Sequence, residues 1–280
     1  MFAKLSGVLV QREPYHGFQP QKGEKMMAFV YGPVPSWRLG RSLGVDLVST
    51  DEKTCSFDCI YCQLGATVHH QSERQEFVPL AEVEEELRML RGIEADYVTF
   101  SGMGEPTLAS NLGEGIILVR RILGLPVAVL TNSSLIFRKD VQEELLEADL
   151  IVAKLDAADE ATFQAVNRPV QGFHLDHILA GLKEFREIYR GKLALQMMFV
   201  EANKSHAADM ARIAEMLSPD EVQINTPLRP CSVKPLPSEE IVAIKSEFKN
   251  VKRVISVYEA PGKPQTKPLN IIATKRRRPG

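Results

Sequence analysis

An α/β fold on mainly parallel strands is predicted by two features of the sequence. Short apolar segments alternate with helical stretches, giving about six βα units over roughly 210 residues. Polar and glycine residues then gather where those apolar segments end, as they do at the rim of a barrel or an open parallel sheet. Either arrangement satisfies the pattern, and the placement of the polar groups favours an enzyme over a scaffold.

Each element follows from its own pattern. A strand pattern starts at residues 27–31, and residues 44–49 form a second candidate strand before a cysteine-rich loop. Pro79 and Leu80 open a helix with Val83, Leu87 and Leu90 on one face and glutamates opposite. Residues 97–100 read as a strand that ends in Ser101-Gly102-Met103-Gly104-Glu105-Pro106. A helix near 112–122 leads to a buried-type strand over 126–130, ending at Thr131-Asn132-Ser133-Ser134. A helix near 139–146 precedes a strand over 150–155 that ends at Asp156. The rhythm continues with a helix near 175–189 and a strand over 193–200. Ser205 then caps a helix that carries Met210, Ile213, Ala214 and Leu217. A strand over 222–225 runs into Thr226-Pro227-Leu228-Arg229-Pro230. A last helix starts at 236–240, and residues 254–258 form a terminal strand.

Composition bounds the class. The chain has 280 residues, 44 % of them hydrophobic and 25 % charged, enough for a core and too ordered a mixture for a disordered chain. Thirty-four basic residues against thirty-six acidic ones leave a net charge of -2, which excludes coating of nucleic acid by bulk charge. No segment reads as a membrane span or a signal peptide, so a cytoplasmic protein with no membrane partner is expected. Residues 1–26 read as an N-terminal extension, with Met26 or Met27 as an alternative natural start. Residues 27–260 form the βα body, and residues 261–280 form a basic C-terminal tail containing Lys275-Arg276-Arg277-Arg278.

Of the four cysteines, three fall in Cys55-Ser56-Phe57-Asp58-Cys59-Ile60-Tyr61-Cys62. Thiolates three and two residues apart can wrap one side of an iron–sulfur cube, because soft sulfur ligands match iron. A [4Fe–4S] cube held this way keeps one iron free of protein thiolate. Zinc completed by His69 or His70 is the competing reading. A disulfide is disfavoured without a secretion signal.

The cysteine spacing, with Tyr61 directly before the last thiol, resembles the cluster loop of the radical S-adenosylmethionine (SAM) superfamily. Residues 31–46 together with 55–65 resemble a branch grouped with the tRNA wyosine-synthesising enzymes. The resemblance implies a partial TIM barrel, (β/α)6, with a [4Fe–4S] cluster and SAM as cofactors. It implies reductive cleavage of SAM to a 5′-deoxyadenosyl radical, with hydrogen abstraction from a substrate. It makes Cys55, Cys59 and Cys62 the cluster ligands. Gly102, Gly104 and Glu105 match the SAM-binding turn, where glycines permit close approach and Glu105 complements the methionine ammonium. Asn132 and Ser133 are expected near the ribose or carboxylate, and Tyr61 near the adenine.

Further candidates line the expected cavity. Asp156 and Cys231 are candidate catalytic groups; a buried pairing and an inert thiol are their plainer alternatives. Arg38, Arg41, Lys154, Arg168, Gln196 and Asn225 are candidate substrate contacts, the arginines because a planar guanidinium suits carboxylate or phosphate. Trp37 offers a stacking surface where the resembling branch carries an arginine. One cysteine outside the loop cannot build the second cluster of the wyosine enzymes, so a one-cluster enzyme of unassigned substrate is expected. Reduced ferredoxin or flavodoxin is the implied electron donor. The substrate is a small molecule or a nucleoside in RNA, with a protein partner, or a sensing role without catalysis, as alternatives. Residues 271–278 resemble the point where longer relatives continue.

Overall fold

The computed structural model describes residues 29–260 and 262–279. The expected extension over 1–26, with its alternative start, lies outside the described residues, as do Met27 and Ala28 of the first expected strand. In chain order the elements are β1 (Val30–Ser36), β2 (Gly40–Val45), β3 (Thr54–Cys55), β4 (His69–His70), α1 (Leu80–Arg88) and β5 (Tyr97–Phe100). Next come α2 (Leu112–Leu123), β6 (Val127–Thr131), α3 (Lys139–Leu145), β7 (Leu150–Lys154), α4 (Glu160–Asn167) and α5 (Leu175–Ile188). Last are β8 (Lys192–Met198), α6 (Ala207–Leu217), β9 (Glu221–Asn225), α7 (Ser238–Glu247), β10 (Val254–Ser256) and α8 (Ile271–Arg277).

The main sheet runs β1-β2-β5-β6-β7-β8-β9-β10. Only β1–β2 is antiparallel; every later pairing is parallel and bridged by a helical crossover. From β2 to β10 this makes the six βα units expected. Side-chain alternation sorts the layers. Val127, Val129, Ile151, Leu193, Leu195, Val222 and Ile224 join the core under the helices. Their neighbours Ala128, Leu150, Val152 and Ala194 turn inward and pack around Leu39 of the β1–β2 turn, which plugs the barrel floor. From the same turn, Arg38 donates through Nη1 to Gln223 Oε1 on β9 at 3.4 Å. That contact spans nearly the whole sheet order, so the sheet curls into an open barrel.

Several boundaries differ from expectation for visible reasons. The second strand occupies 40–45 rather than 44–49, because the Asp46 carboxylate accepts from Val48 N at 3.1 Å and turns the chain. Residues 160–167, to which the sequence pattern assigns no element, form α4, capped by Asp159 accepting from Thr162 N. Ser205 caps nothing; it sits in a single 3-10 turn, and α6 begins at Ala207. Glu86 of α1 is buried rather than facing outward, accepting from Val30 N at 2.8 Å and so fixing the start of β1.

The largest difference is at residues 271–277. In place of a tail they form α8, which is capped by Asn270 and packs on β1. Arg277 explains this. Its guanidinium is buried, lies 5.1 Å above the Tyr31 ring centroid, and donates to Asp46 Oδ2 at 2.7 Å and Ser49 Oγ at 2.6 Å. Burial pushes the Asp46 carboxyl above its usual range, and the Arg277 charge opposes that push. Removing one partner of a buried ion pair strands the other. Arg277→Ala is therefore expected to cost about 3–5 kcal/mol in urea unfolding, whereas Lys275→Ala on the exposed face stays within about 0.5 kcal/mol. Equal midpoints for the two variants would show that the pair does not hold α8.

Candidate functional site

Above the floor, the barrel opens into a cavity of about 360 Å³ bordered by Cys55, Cys59 and Cys62. The cysteine loop is held there by backbone bonds. Thr54 N donates to Met103 O at 3.1 Å, Cys62 N to Cys59 O at 3.0 Å, and Ile60 N to Val166 O at 3.0 Å. Glycine is required where the loop meets the turn after β5. A Cβ on Gly104 would lie 1.6 Å from Thr54 O, and one on Gly102 would lie 2.0 Å from the Asp46 carboxyl carbon. Gly104 lines the cavity, while Gly102 backs it.

All four cysteines are free thiols. Two of the loop sulfurs already have amide donors: Asn132 Nδ2 is 3.6 Å from Cys55 Sγ, and Asn167 Nδ2 is 3.5 Å from Cys59 Sγ. Burial pushes the Cys55 thiol up to about 12. It pushes Cys59 up to about 11, with the Asp156 charge adding to the effect. Bound metal would displace those protons. Among the described residues, no three His, Cys, Asp or Glu side chains gather around one ion position. The soft donor set, its exposure to the cavity and the amides on two sulfurs fit a [4Fe–4S] group. His69 and His70, the zinc candidates, are exposed on β4.

Glu105 lines the cavity but serves its own chain first. Oε1 accepts from Thr107 N, Thr107 Oγ1 and Thr131 Oγ1, and Oε2 accepts from Asn132 N at 2.6 Å. Burial raises its pKa, and these donors oppose the rise. One acceptor place remains on Oε2. Asn132 also faces the cavity, donating to Ser56 Oγ at 2.8 Å and accepting from Ser134 N. Ser133 is fully buried at φ 70°, and its hydroxyl donates to Lys154 O; it does not reach the cavity.

Asp156 is buried behind the cavity wall. It accepts from the Tyr61 hydroxyl, from Asn167 Nδ2 at 2.9 Å and from Met198 N at 2.7 Å, with Lys154 Nζ at 3.6 Å. Tyr61 and Lys154 do line the cavity, the ammonium 4.7 Å from the ring centroid. Cys231 is packed beside Val233, to whose carbonyl its thiol donates, outside the cavity lining. Gln196, Asn225 and Arg38 line the cavity; Arg41 and Arg168 do not. Arg41 is paired with Glu94 and Asp96, and Arg168 is exposed, ending α4 in the left-handed region 3.9 Å from Asp58. Lys53, Gln63, Arg229 and Arg278 also line the cavity. Gln63 adjoins Cys62, and Arg229 follows the end of β9, so position in the motif could have flagged both.

These features define an open α/β barrel with a three-thiol loop set against a glycine turn at its rim. The chain matches the Radical SAM superfamily over residues 53–214, more than half its length, and belongs to that superfamily. It is 42 % identical to a UPF0026 protein of Synechocystis over 211 residues, 75 % of this chain and 78 % of that one. It is 39 % identical to a UPF0026 protein of Methanocaldococcus jannaschii over 235 residues, 80 % of this chain and 72 % of that one. Among solved structures it resembles Streptococcus suis SuiB bound to S-adenosylmethionine, with a TM-score of 0.58 and 16 % identity. That match covers 73 % of this chain but only 48 % of SuiB, so the chain spans about half the length of that protein. It also resembles anSMEcpe with bound AdoMet, with a TM-score of 0.58, 16 % identity and coverage of 78 % and 64 %. At that identity the likeness is one of fold.

Loop thiols and lone thiol should separate on reconstitution with iron and sulfide. Cys59→Ser is expected to lose bound iron, while Cys231→Ser keeps it. Asn132→Ala or Asn167→Ala should weaken iron retention against a chelator by about 10- to 100-fold, the usual cost of losing an outer-sphere donor. Iron analysis and the visible absorption of the reconstituted proteins check all four; full iron in Cys59→Ser would remove Cys59 from the ligand set.

Proposed function

We propose that this protein is a radical SAM enzyme. Cys55, Cys59 and Cys62 hold a [4Fe–4S] cluster at the cavity rim, and SAM and a substrate share the space below. The carrying observation is that three free thiols border one cavity, two of them already facing amide donors. When bound, the reduced cluster supplies one electron that splits SAM into methionine and a 5′-deoxyadenosyl radical, which takes a hydrogen atom from substrate.

The chain's own residues prepare the site. Gly104 lets the turn lie against the cysteine loop, and Glu105 offers its remaining Oε2 acceptor place to the methionine ammonium. Asn132 braces the loop through Ser56 and the rim through Ser134. Asp156 is a positioning residue, holding Tyr61 and Asn167 so that the Asn167 amide faces Cys59. Gln196 and Asn225 are left to meet substrate from the inner wall. The electron comes from an external donor such as reduced ferredoxin or flavodoxin.

Anaerobic reconstitution followed by EPR of the dithionite-reduced protein tests this reading. A [4Fe–4S] signal perturbed by SAM is expected, with 5′-deoxyadenosine detected by mass spectrometry and lost in Cys59→Ala. Zinc in place of iron, or four irons with no response to SAM, would overturn it. The positioning role of Asp156 predicts that Asp156→Asn keeps iron but alters the EPR line shape.

A further inference from the structure

The cavity wall away from the glycine turn is cationic beyond what the protein neutralises. Two of its lysines are satisfied: Lys53 donates to Gly65 O at 3.0 Å and lies 3.9 Å from Asp58, and Lys154 faces Asp156. Arg38, Arg229 and Arg278 have no carboxylate within ion-pairing distance among the described residues, and Lys263 stands at the same cavity. Arg38 Nε is buried with no hydrogen-bond partner, and its Nη1 has only the Gln223 amide oxygen at 3.4 Å. The nearest acid on that side, Glu221, is committed to Lys192, Arg253 and Gln223. Burial, then repulsion from Arg278 and Arg229, lowers the Arg38 pKa to about 10. A guanidinium held this way, beside two others, lacks a counter-charge.

The cofactors of the reading above do not supply one. SAM is a cation overall, its carboxylate offset by its own ammonium, and the single net negative charge of a [4Fe–4S]2+ core held by three thiolates is offset by that cation. The missing charge must arrive with another molecule. Three elements distant in sequence converge here: the β1–β2 turn, the segment after β9 and the end of α8. Gln63 links them to the cysteine loop, accepting from Arg229 Nη1 at 3.1 Å and donating to Arg277 O at 3.1 Å. A bound anion would therefore lie next to the proposed reaction space. An RNA backbone fits less well, because the exposed Arg41 is neutralised by Glu94 and Asp96 and the unpaired cations lie within the cavity.

We infer that Arg38, Arg229 and Arg278 form an oxyanion subsite anchoring the phosphate or carboxylate of a small-molecule substrate. The inference deepens the catalytic reading and rests on it. Guanidinium forks suit both groups, since each presents paired oxygens. Trp37, the single tryptophan, lines the cavity with its ring centroid 5.4 Å from Arg38 Cζ, and so reports on occupancy.

The test is calorimetric titration of the cluster-reconstituted protein with inorganic phosphate and with malonate at fixed ionic strength, while following Trp37 emission. Saturable binding is expected, weakened about 10- to 100-fold in Arg38→Gln and in Arg278→Gln, with Lys275→Ala unchanged. Tighter phosphate assigns a phosphorylated substrate, tighter malonate a carboxylic acid, and either result supports the subsite. Arg38→Lys, which keeps the charge but loses the fork, guards against a folding defect in Arg38→Gln and should bind at an intermediate level. No saturable binding, binding in both glutamine variants as tight as in the unsubstituted protein, or displacement of the anion by SAM would each overturn the inference. Binding of a tRNA transcript, but not of phosphate, through Arg38 would also overturn it in favour of RNA. Anion binding without deoxyadenosine formation would count against the catalytic reading alone, and deoxyadenosine formation without anion binding against the subsite alone.

Discussion

Parallel strands joined by helical crossovers build a curved sheet whose first and last strands have no partner on one side among the described residues, and the rest of the described fold is arranged around that open ring. At one edge β1 folds back antiparallel on β2 and is covered by α8; at the other, β10 pairs, among the described residues, only with β9. Hydrogen-bonding groups on an uncovered edge invite further pairing, and a covering helix limits it. The incomplete ring also leaves an interior too wide for side chains to fill. Leu39 closes the floor, and the inner faces of β8 and β9 above it carry Gln196, Gln223 and Asn225 instead of aliphatic residues.

Three buried carboxylates then organise the rim. Asp46 receives Arg277 from the C-terminal helix and Met103 N from the glycine turn. Glu105 ties that turn to the end of β6, and Asp156 ties the end of β7 to Tyr61 and to the end of α4. Each acid follows a strand and takes at least one donor from another segment. A buried carboxylate without donors would be costly, so each fixes a set of loops relative to one another. The cysteine loop contacts two of the three systems, through Asn132 and through Tyr61 with Asn167.

Much of this was legible in residue order, and the physical reason is consistent. The parallel strands carry apolar outer faces, so residues 97–100 and 150–154 stand out, and the thiol spacing is local enough to read directly. Local signals failed where partners are remote. The basic run at 275–278 reads as solvated until Asp46, the partner of Arg277, is brought beside it. The α4 segment is short, and its end serves the cysteine loop: the Asn167 and Arg168 carbonyls accept from Asp58 N, and the Asn167 amide faces Cys59, contacts a local pattern does not reveal. Asp156 is an evident strand-end acid, but nothing in its own sequence says that Tyr61, 95 residues away, would reach it behind the cavity wall. Arg229 and Arg278 belong to different segments, and their common cavity emerges only with the barrel.

The Asp46–Arg277 bond joins positions 231 residues apart, and translation delivers its two ends in order. A nascent chain that has already assembled β1 through β9 holds the Asp46 carboxylate against Gly102 with its cation still inside the ribosome. During that interval the glycine turn rests on a carboxyl without its cation, and the cavity lacks the wall that Arg278 supplies. Until α8 has emerged, the rim beside the cysteine loop lacks both the Asp46–Arg277 bond and the Arg277 carbonyl to which Gln63 donates.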